Sequence, residues 1–339
     1  MIANPERTTG YYFTKKLRHD TYPFIDSAAC NLSGRYVFVS GASRGIGLEL
    51  ILSLARAGAS GIAFGARSLD SDGAVKKLKA DIYIAATDGW KHRQATRRHT
   101  EPSNSGEPLI PMPLVIPLHM DVTDAESVRA GAQAVERAFP RLDMLINNAG
   151  VLEKRAKVAD ADVQAWMNTL DVNLKGTFLP MHYFMPLLIR SKGLAWDDAA
   201  PAPGAATGAA AAGLQTVVNI NSLASQMVSP GASAYQVSKL AQLRLTEFVN
   251  CDHGADGLLG WAIHPGGVAT QLGLSLPVER HAALTESPRL CADAVVFLAE
   301  RRREWLAGRY LMAQWDVEEL LAREEEIVQG DKLKVRIRL

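Results

Sequence analysis

Tyr235 and Lys239 stand four residues apart in Tyr235-Gln-Val-Ser-Lys239, so a helix through them puts a phenol and an ammonium on one face. Ser222 precedes them by 13 residues, and Asn173 follows a run Asn147-Asn-Ala-Gly150. Hydroxyls that converge on one carbonyl oxygen beside an ammonium can polarise that oxygen and exchange a proton with it. A second cluster, Gly41-Ala-Ser-Arg-Gly-Ile-Gly47, suits a pyrophosphate, which needs closely approaching backbone N–H groups and the positive end of a helix. Its spacing, G-x3-G-x-G, is not the G-x-G-x-x-G of the commonest dinucleotide fingerprint, so the surrounding elements have to support it.

They do. Arg35-Tyr-Val-Phe-Val-Ser40 reads as a buried strand, the glycine turn follows at once, and residues 48–57 carry an apolar helical period that Gly58 closes. A second strand, Gly61-Ile-Ala-Phe-Gly-Ala66, ends at Arg67, where a carboxylate would serve the ribose 2′-hydroxyl of NAD and an arginine a 2′-phosphate. Arg44 inside the glycine turn is a second guanidinium for that phosphate, so NADPH is favoured over NADH. Further strands are expected at 114–118, 143–147, 216–220 and 259–263, with helices at 124–139, at 161–170 running on towards 189, and at 235–249. This alternation implies an α/β fold, a Rossmann-type doubly wound parallel sheet with helices on both faces.

The expected organisation is an extension over 1–32, one dinucleotide-binding domain over 33–320, and a tail over 321–339. Aromatic residues Tyr11, Tyr12, Phe13, Tyr22 and Phe24 predict that the extension packs on the domain. Residues 83–113, with Lys91, His92, Arg93, Arg97, Arg98 and His99, read as a solvated surface insertion. Residues 193–213, rich in Ala, Pro and Gly, read as a floppy one. About 40 residues from Ala199 to Ser238 pass without a charge, but Pro201, Pro203, Gly204, Gly208, Gly213 and Pro230 break any membrane span. With 37 Lys+Arg against 36 Asp+Glu there is no basic excess to neutralise nucleic acid. Cys30, Cys251 and Cys291 have no metal-ligand spacing, so no metal is expected. They read as reduced structural thiols, and with no apolar leader near Met1 the expected location is the cytoplasm.

At this point the sequence resembles the short-chain dehydrogenase/reductase superfamily over about residues 33–320. The likeness is carried by Gly41-Ala-Ser-Arg-Gly-Ile-Gly47, Asp121-Val122, Asn147-Asn-Ala-Gly150, Asn173, Ser222, Tyr235-x3-Lys239 and Pro265-Gly-Gly-Val-Ala-Thr270. The resemblance implies that Tyr235 is the general acid that protonates a carbonyl oxygen, that Lys239 holds the nicotinamide ribose and lowers the phenol pKa, and that Ser222 polarises the carbonyl. Asn173 would hold a water in a relay behind Lys239. Gly41, Ser43, Arg44, Gly45, Ile46, Gly47, Arg67, Asp121, Val122, Asn147, Asn148, Ala149, Gly150, Pro265, Gly266, Val268 and Thr270 would surround the cofactor, with Thr270 near its carboxamide or pyrophosphate. Asn147 and Asn148 have a structural alternative, tying strands together. Asn221, in a place where the family frequently has a second serine, departs from the pattern.

His19-Asp-Thr-Tyr-Pro23, Gly308-Arg-Tyr310 and Trp315-Asp-Val-Glu-Glu-Leu320 look similar to reductases of fungal secondary metabolism. The tail also reads simply as a final strand plus an amphipathic helix. The expectation is an NADPH-dependent oxidoreductase that reduces a lipophilic ketone or aldehyde, or oxidises the alcohol, as a homodimer or homotetramer. Leu223, Met227, Val228, Leu272, Leu274 and Leu276 would make its oily pocket. Alternatives are a redox-neutral lyase, isomerase or cyclase that keeps NADP as scaffold, and a non-catalytic NADP-sensing regulator.

Overall fold

Strands buried on both faces need no alternation of apolar and polar residues, and five- and six-residue apolar runs are what the chain supplies. The computed structural model describes residues 9–69, 71–98, 110–192 and 214–337. Seven strands, β1 (Tyr36–Ser40), β2 (Gly61–Ala66), β3 (Leu114–His119), β4 (Met144–Asn147), β5 (Thr216–Ile220), β6 (Leu259–His264) and β7 (Tyr310–Met312), form one sheet. All pairings are parallel and the order is β3-β2-β1-β4-β5-β6-β7. Val37 of β1 pairs with Ile62 of β2 on one side and with Met144 of β4 on the other, so the winding reverses at β1/β4. A crevice must open there, beyond the carboxyl ends of the strands.

One face of the sheet is covered by α1 (Gly45–Arg56), α2 (Asp72–Arg98) and α8 (Pro288–Glu300), whose Leu50, Leu54, Ile82, Leu290 and Val295 join the core there. The other carries α3 (Ala125–Ala138), α4 (Val163–Leu170), α5 (Gly176–Arg190) and α6 (Ser233–His253). On that side Phe38 stacks on Phe184 with ring centroids 4.1 Å apart. A single turn, α7 (Gln271–Leu274), follows β6, and α9 (Val317–Ala322) and α10 (Glu324–Gln329) follow β7.

Several expectations are corrected here. Residues 83–98, expected as part of a solvated loop, continue α2. The reason is burial of Ile82, Ala85 and Ala86 against α1, together with Arg93, whose guanidinium donates to Ala28 O, Cys30 O and Arg56 O. A basic residue in this stretch therefore satisfies the carbonyl end of α1 instead of facing water. The rest of that stretch up to residue 109, and all of 193–213, lie outside the described residues. The helix expected from 161 towards 189 is interrupted by a π-turn over Asp171–Lys175. Cys30 and Cys291 are buried, but Cys251 is exposed on α6 and is no packing residue. The boundary expected after Leu320 falls inside α9, and Ile327 beyond it is fully buried.

Candidate active site

The glycine turn is shaped by what cannot fit. Gly41 and Gly45 take φ of +67° and +58°, and a Cβ on Gly41 would come within 2.8 Å of Ala149 Cα. On Gly47 it would meet Gly41 O at 2.3 Å. With no side chains in the way, the first N–H groups of α1 open directly into the crevice. The Asn148 side-chain amide donates to Ser40 O at 3.1 Å and Gly41 O at 2.8 Å, which clamps the β4 loop to the turn. Asn147 donates to Asn219 Oδ1 across the β4/β5 pair at 2.8 Å. Both asparagines thus perform the strand-tying duty weighed as their alternative.

The crevice is a cleft of ≈ 900 Å³, within the range of small-molecule sites. Its walls include Gly41, Ser43, Arg44, Gly45, Ile46, Gly47, Arg67, Asp121, Val122, Asn148, Ala149, Gly150, Tyr235, Lys239, Pro265, Val268 and Thr270. Gly266, Ser222 and Asn173 are not part of the lining. Gly266 turns away with φ +96°, packed on the stem of Glu286. Arg44 and Arg67 are exposed at one end, and among the described residues neither is in an ion pair. Asp121 next to them is a carboxylate held low: burial alone would raise its pKa, but Thr123 donates from N and Oγ1 at 2.8 Å, and Arg67 and Lys175 add their charge. A turn rich in free N–H groups beside two unpaired guanidinium groups suits a dinucleotide carrying a further phosphate.

At the other end, Ser222 caps a 3₁₀ turn (Leu223–Gln226) through Ala224 N at 3.1 Å, and its hydroxyl acts on the Tyr235 phenol. Lys239 is buried, its Nζ donating to Ile220 O at 2.8 Å and lying 5.9 Å from the Tyr235 ring centroid. Burial pushes the Lys239 ammonium down to about 8. The phenol does not move down as expected. Burial raises its pKa, the Ser222 hydroxyl opposes the rise, and the Glu153 carboxylate adds to it. Glu153 sits there because its two oxygens accept from Tyr235 N, an otherwise orphan donor in the first turn of α6, at 3.2 and 3.1 Å.

Asn173 lies in the π-turn with its side-chain amide fully engaged: Oδ1 accepts from Val151 N at 2.8 Å, and Nδ2 donates to Val151 O and to Ser238 Oγ, each at 3.0 Å. Only its main-chain carbonyl is left for the expected water, and Thr177 Oγ1 already donates to it at 2.8 Å. Thr270 Oγ1 caps α7 through Gly273 N at 3.2 Å. Of the six residues expected as an oily pocket only Leu272 lines the cleft; Val228, in the loop after the 3₁₀ turn, is 83% exposed and Leu274, at the end of α7, 52%.

Two acids in the site were missed by the sequence reading. Glu153 left no signal. Glu286, with its side chain buried, accepts from Gly267 N at 2.6 Å and pairs with His19 Nδ1 at 2.7 Å, so it braces the loop after β6.

A family model described as short chain dehydrogenase matches residues 112–195. The chain is 43% identical to the short chain dehydrogenase citE of Monascus ruber over 97% of its own length and 98% of that protein's. It is 37% identical to the short chain dehydrogenase pigC of the same organism, over 96% and 94%. A 7α-hydroxysteroid dehydrogenase solved with NADH and 7-oxo glycochenodeoxycholic acid shares the fold, with a TM-score of 0.64 at 18% identity over 87% of this chain and 97% of that one. Likeness that runs the length of the chain, over a sheet and a cleft of this form, makes it a member of the short-chain dehydrogenase/reductase family.

Proposed function

We propose that this member of a family of nicotinamide-dependent oxidoreductases is an NADPH-dependent carbonyl reductase, or the alcohol dehydrogenase of the reverse direction. The observation that carries the reading is one cleft lined by Arg44 and Arg67, neither in an ion pair among the described residues, and by Tyr235 and Lys239, with Ser222 acting on the Tyr235 phenol. The glycine turn would hold the pyrophosphate, Arg44 and Arg67 the 2′-phosphate, and Lys239 the nicotinamide ribose. NADPH, when bound, supplies the hydride that adds to the carbonyl carbon.

Tyr235 gives its hydroxyl proton to the carbonyl oxygen, and Ser222 orients that oxygen and polarises it. A phenol held above its ordinary pKa keeps its proton at neutral pH, which suits reduction. Asn173 keeps the β4 loop and α6 in register beneath these groups. The likeness to reductases of fungal secondary metabolism favours a lipophilic metabolite as substrate and the cytoplasm as location. The half-exposed Met167, Phe178, Leu240 and Phe248 on α4, α5 and α6 favour a homodimer or homotetramer.

An NADPH-consumption screen over ketones and aldehydes tests the reading. Tyr235→Phe removes only the acidic hydroxyl, so NADPH affinity should persist while turnover drops roughly 10²- to 10⁴-fold. Near wild-type reduction by Tyr235→Phe would place the proton donor elsewhere. A redox-neutral conversion that needs Tyr235 but leaves NADPH unconsumed would withdraw the reductase assignment.

A further inference from the structure

Behind Lys239, on the side away from the cleft, lies a fully buried side-chain amide that the roles above do not use. Gln242 Oε1 accepts from Asn221 Nδ2 at 2.8 Å and from Lys239 Nζ at 3.4 Å. Its Nε2 donates to Thr177 Oγ1 at 2.7 Å, and Thr177 in turn donates to the Asn173 carbonyl at 2.8 Å. Asn221 Nδ2 also donates to the main-chain oxygen of Lys239 at 2.9 Å. The donors around the amide set its direction: Asn221 Nδ2, held by the Lys239 carbonyl, and Lys239 Nζ both need an acceptor, so the Gln242 oxygen faces them and its N–H group faces the Thr177 oxygen. An apolar side chain would fill the same space without needing three partners.

We propose that Gln242 is a positioning residue of the active site: its amide, oriented by Thr177 and Asn221, supplies the acceptor that holds the Lys239 ammonium and ties it to the π-turn of Asn173. The inference rests on the reading above that Lys239 serves the reaction as a cation. Lys239 has one strong acceptor, Ile220 O, and among the described residues no carboxylate pairs with it. On its own helix Arg244, Glu247, Cys251, Asp252 and His253 lie further along, with Arg244 paired to Glu247 and His253 to Asp256. Tyr235 lies one turn back and Glu153 sits on the β4 loop against Tyr235 N. His264 ends β6 and burial keeps it neutral. Asp171 and Lys175 of the π-turn pair with each other at 3.8 Å on the surface. A neutral oxygen 3.4 Å from a desolvated ammonium then matters to its charge state.

The test is an NMR titration of the full chain carrying 13Cε-lysine, with no cofactor or substrate added and with Lys239→Arg to identify the signal. Gln242→Met removes the acceptor at nearly constant volume and should lower the Lys239 midpoint by about one pH unit, while Gln242→Glu should raise it by a similar amount. Should Gln242→Glu not fold, Thr177→Val, which frees the amide to turn, must lower the midpoint in its place. A midpoint that stays within about 0.3 unit of wild type in every folded variant overturns the proposal. NADPH affinity followed against pH separates the two readings. If the Lys239 midpoint moves and the affinity profile does not follow, the role of Gln242 stands and the assignment of Lys239 to the cofactor falls.

Discussion

At the scale of single residues the cofactor preference is the sharpest consequence. Arg44 and Arg67 are exposed and in no ion pair among the described residues, and Asp121, whose charge Arg67 feels, accepts from Thr123. Arg67→Ala should weaken NADPH by about 1.5–3 kcal/mol, roughly tenfold to a hundredfold, and leave NADH almost unchanged. Fluorescence titration of both cofactors decides it, and an unaltered preference for NADPH would remove Arg67 from the phosphate site. A second residue concerns stability. His264 is buried, and desolvation pushes its pKa down to about 3. The unfolded chain, with an ordinary imidazole near pH 6.5, takes up the proton first as pH falls, so stability is full above that value and declines towards the folded-state value. The unfolding free energy from urea titrations should fall between pH 7 and pH 4, by at most about 1.4 kcal/mol per pH unit from this group. His264→Asn should flatten the slope; equal slopes in both proteins would show that other groups control acid unfolding.

At the scale of elements, the six strands read from sequence coincide with β1 to β6 to within a residue, because parallel strands covered on both faces announce themselves as continuous apolar runs. The glycine turn, Tyr235 and Lys239 were legible for a similar reason, since their spacing is local. What was hidden depends on contacts between distant segments. The basic half of α2 reads as a loop until Arg93 is seen against the end of α1, and the π-turn is invisible because Asn173 is pulled out of helical register by Val151, 22 residues earlier. Glu153 and Gln242 owe their places to partners 82 and 65 residues away. The π-turn makes its own prediction. Asn173→Ala leaves Val151 N and O without partners in a buried place, at about 1–3 kcal/mol for each group. Chemical denaturation should show that loss together with lower turnover. Full stability with lost turnover would mean that Asn173 acts on the chemistry and not on the loop.

At the scale of the whole molecule, the segment before the first strand closes the structure on itself. Residue Leu17 forms an antiparallel bridge with Trp315, Phe13 packs on the same indole at 5.1 Å, and the indole N–H donates to Tyr11 O at 3.1 Å. Arg18 pairs with Asp316 at 2.7 Å and stacks on Tyr22, whose hydroxyl accepts from Val317 N at 2.7 Å. One residue further, His19 meets Glu286, and Glu286 holds Gly267 in the loop that borders the cleft. The strap therefore joins two things that sequence keeps far apart, the packing of the tail and the wall of the cleft. Deleting residues 1–20 uncovers Trp315, worth about 1.5–3 kcal/mol when fully buried, and frees Glu286 from His19. The shortened chain should unfold at lower urea and bind NADPH more weakly, whereas His19→Gln in the full chain should keep the stability and lose only part of the affinity. If the deletion weakens binding no more than His19→Gln does, the strap acts on the site through His19 alone. If His19→Gln binds NADPH as wild type does and the deletion does not, Glu286 holds its loop unaided and the effect travels through the packing around Trp315.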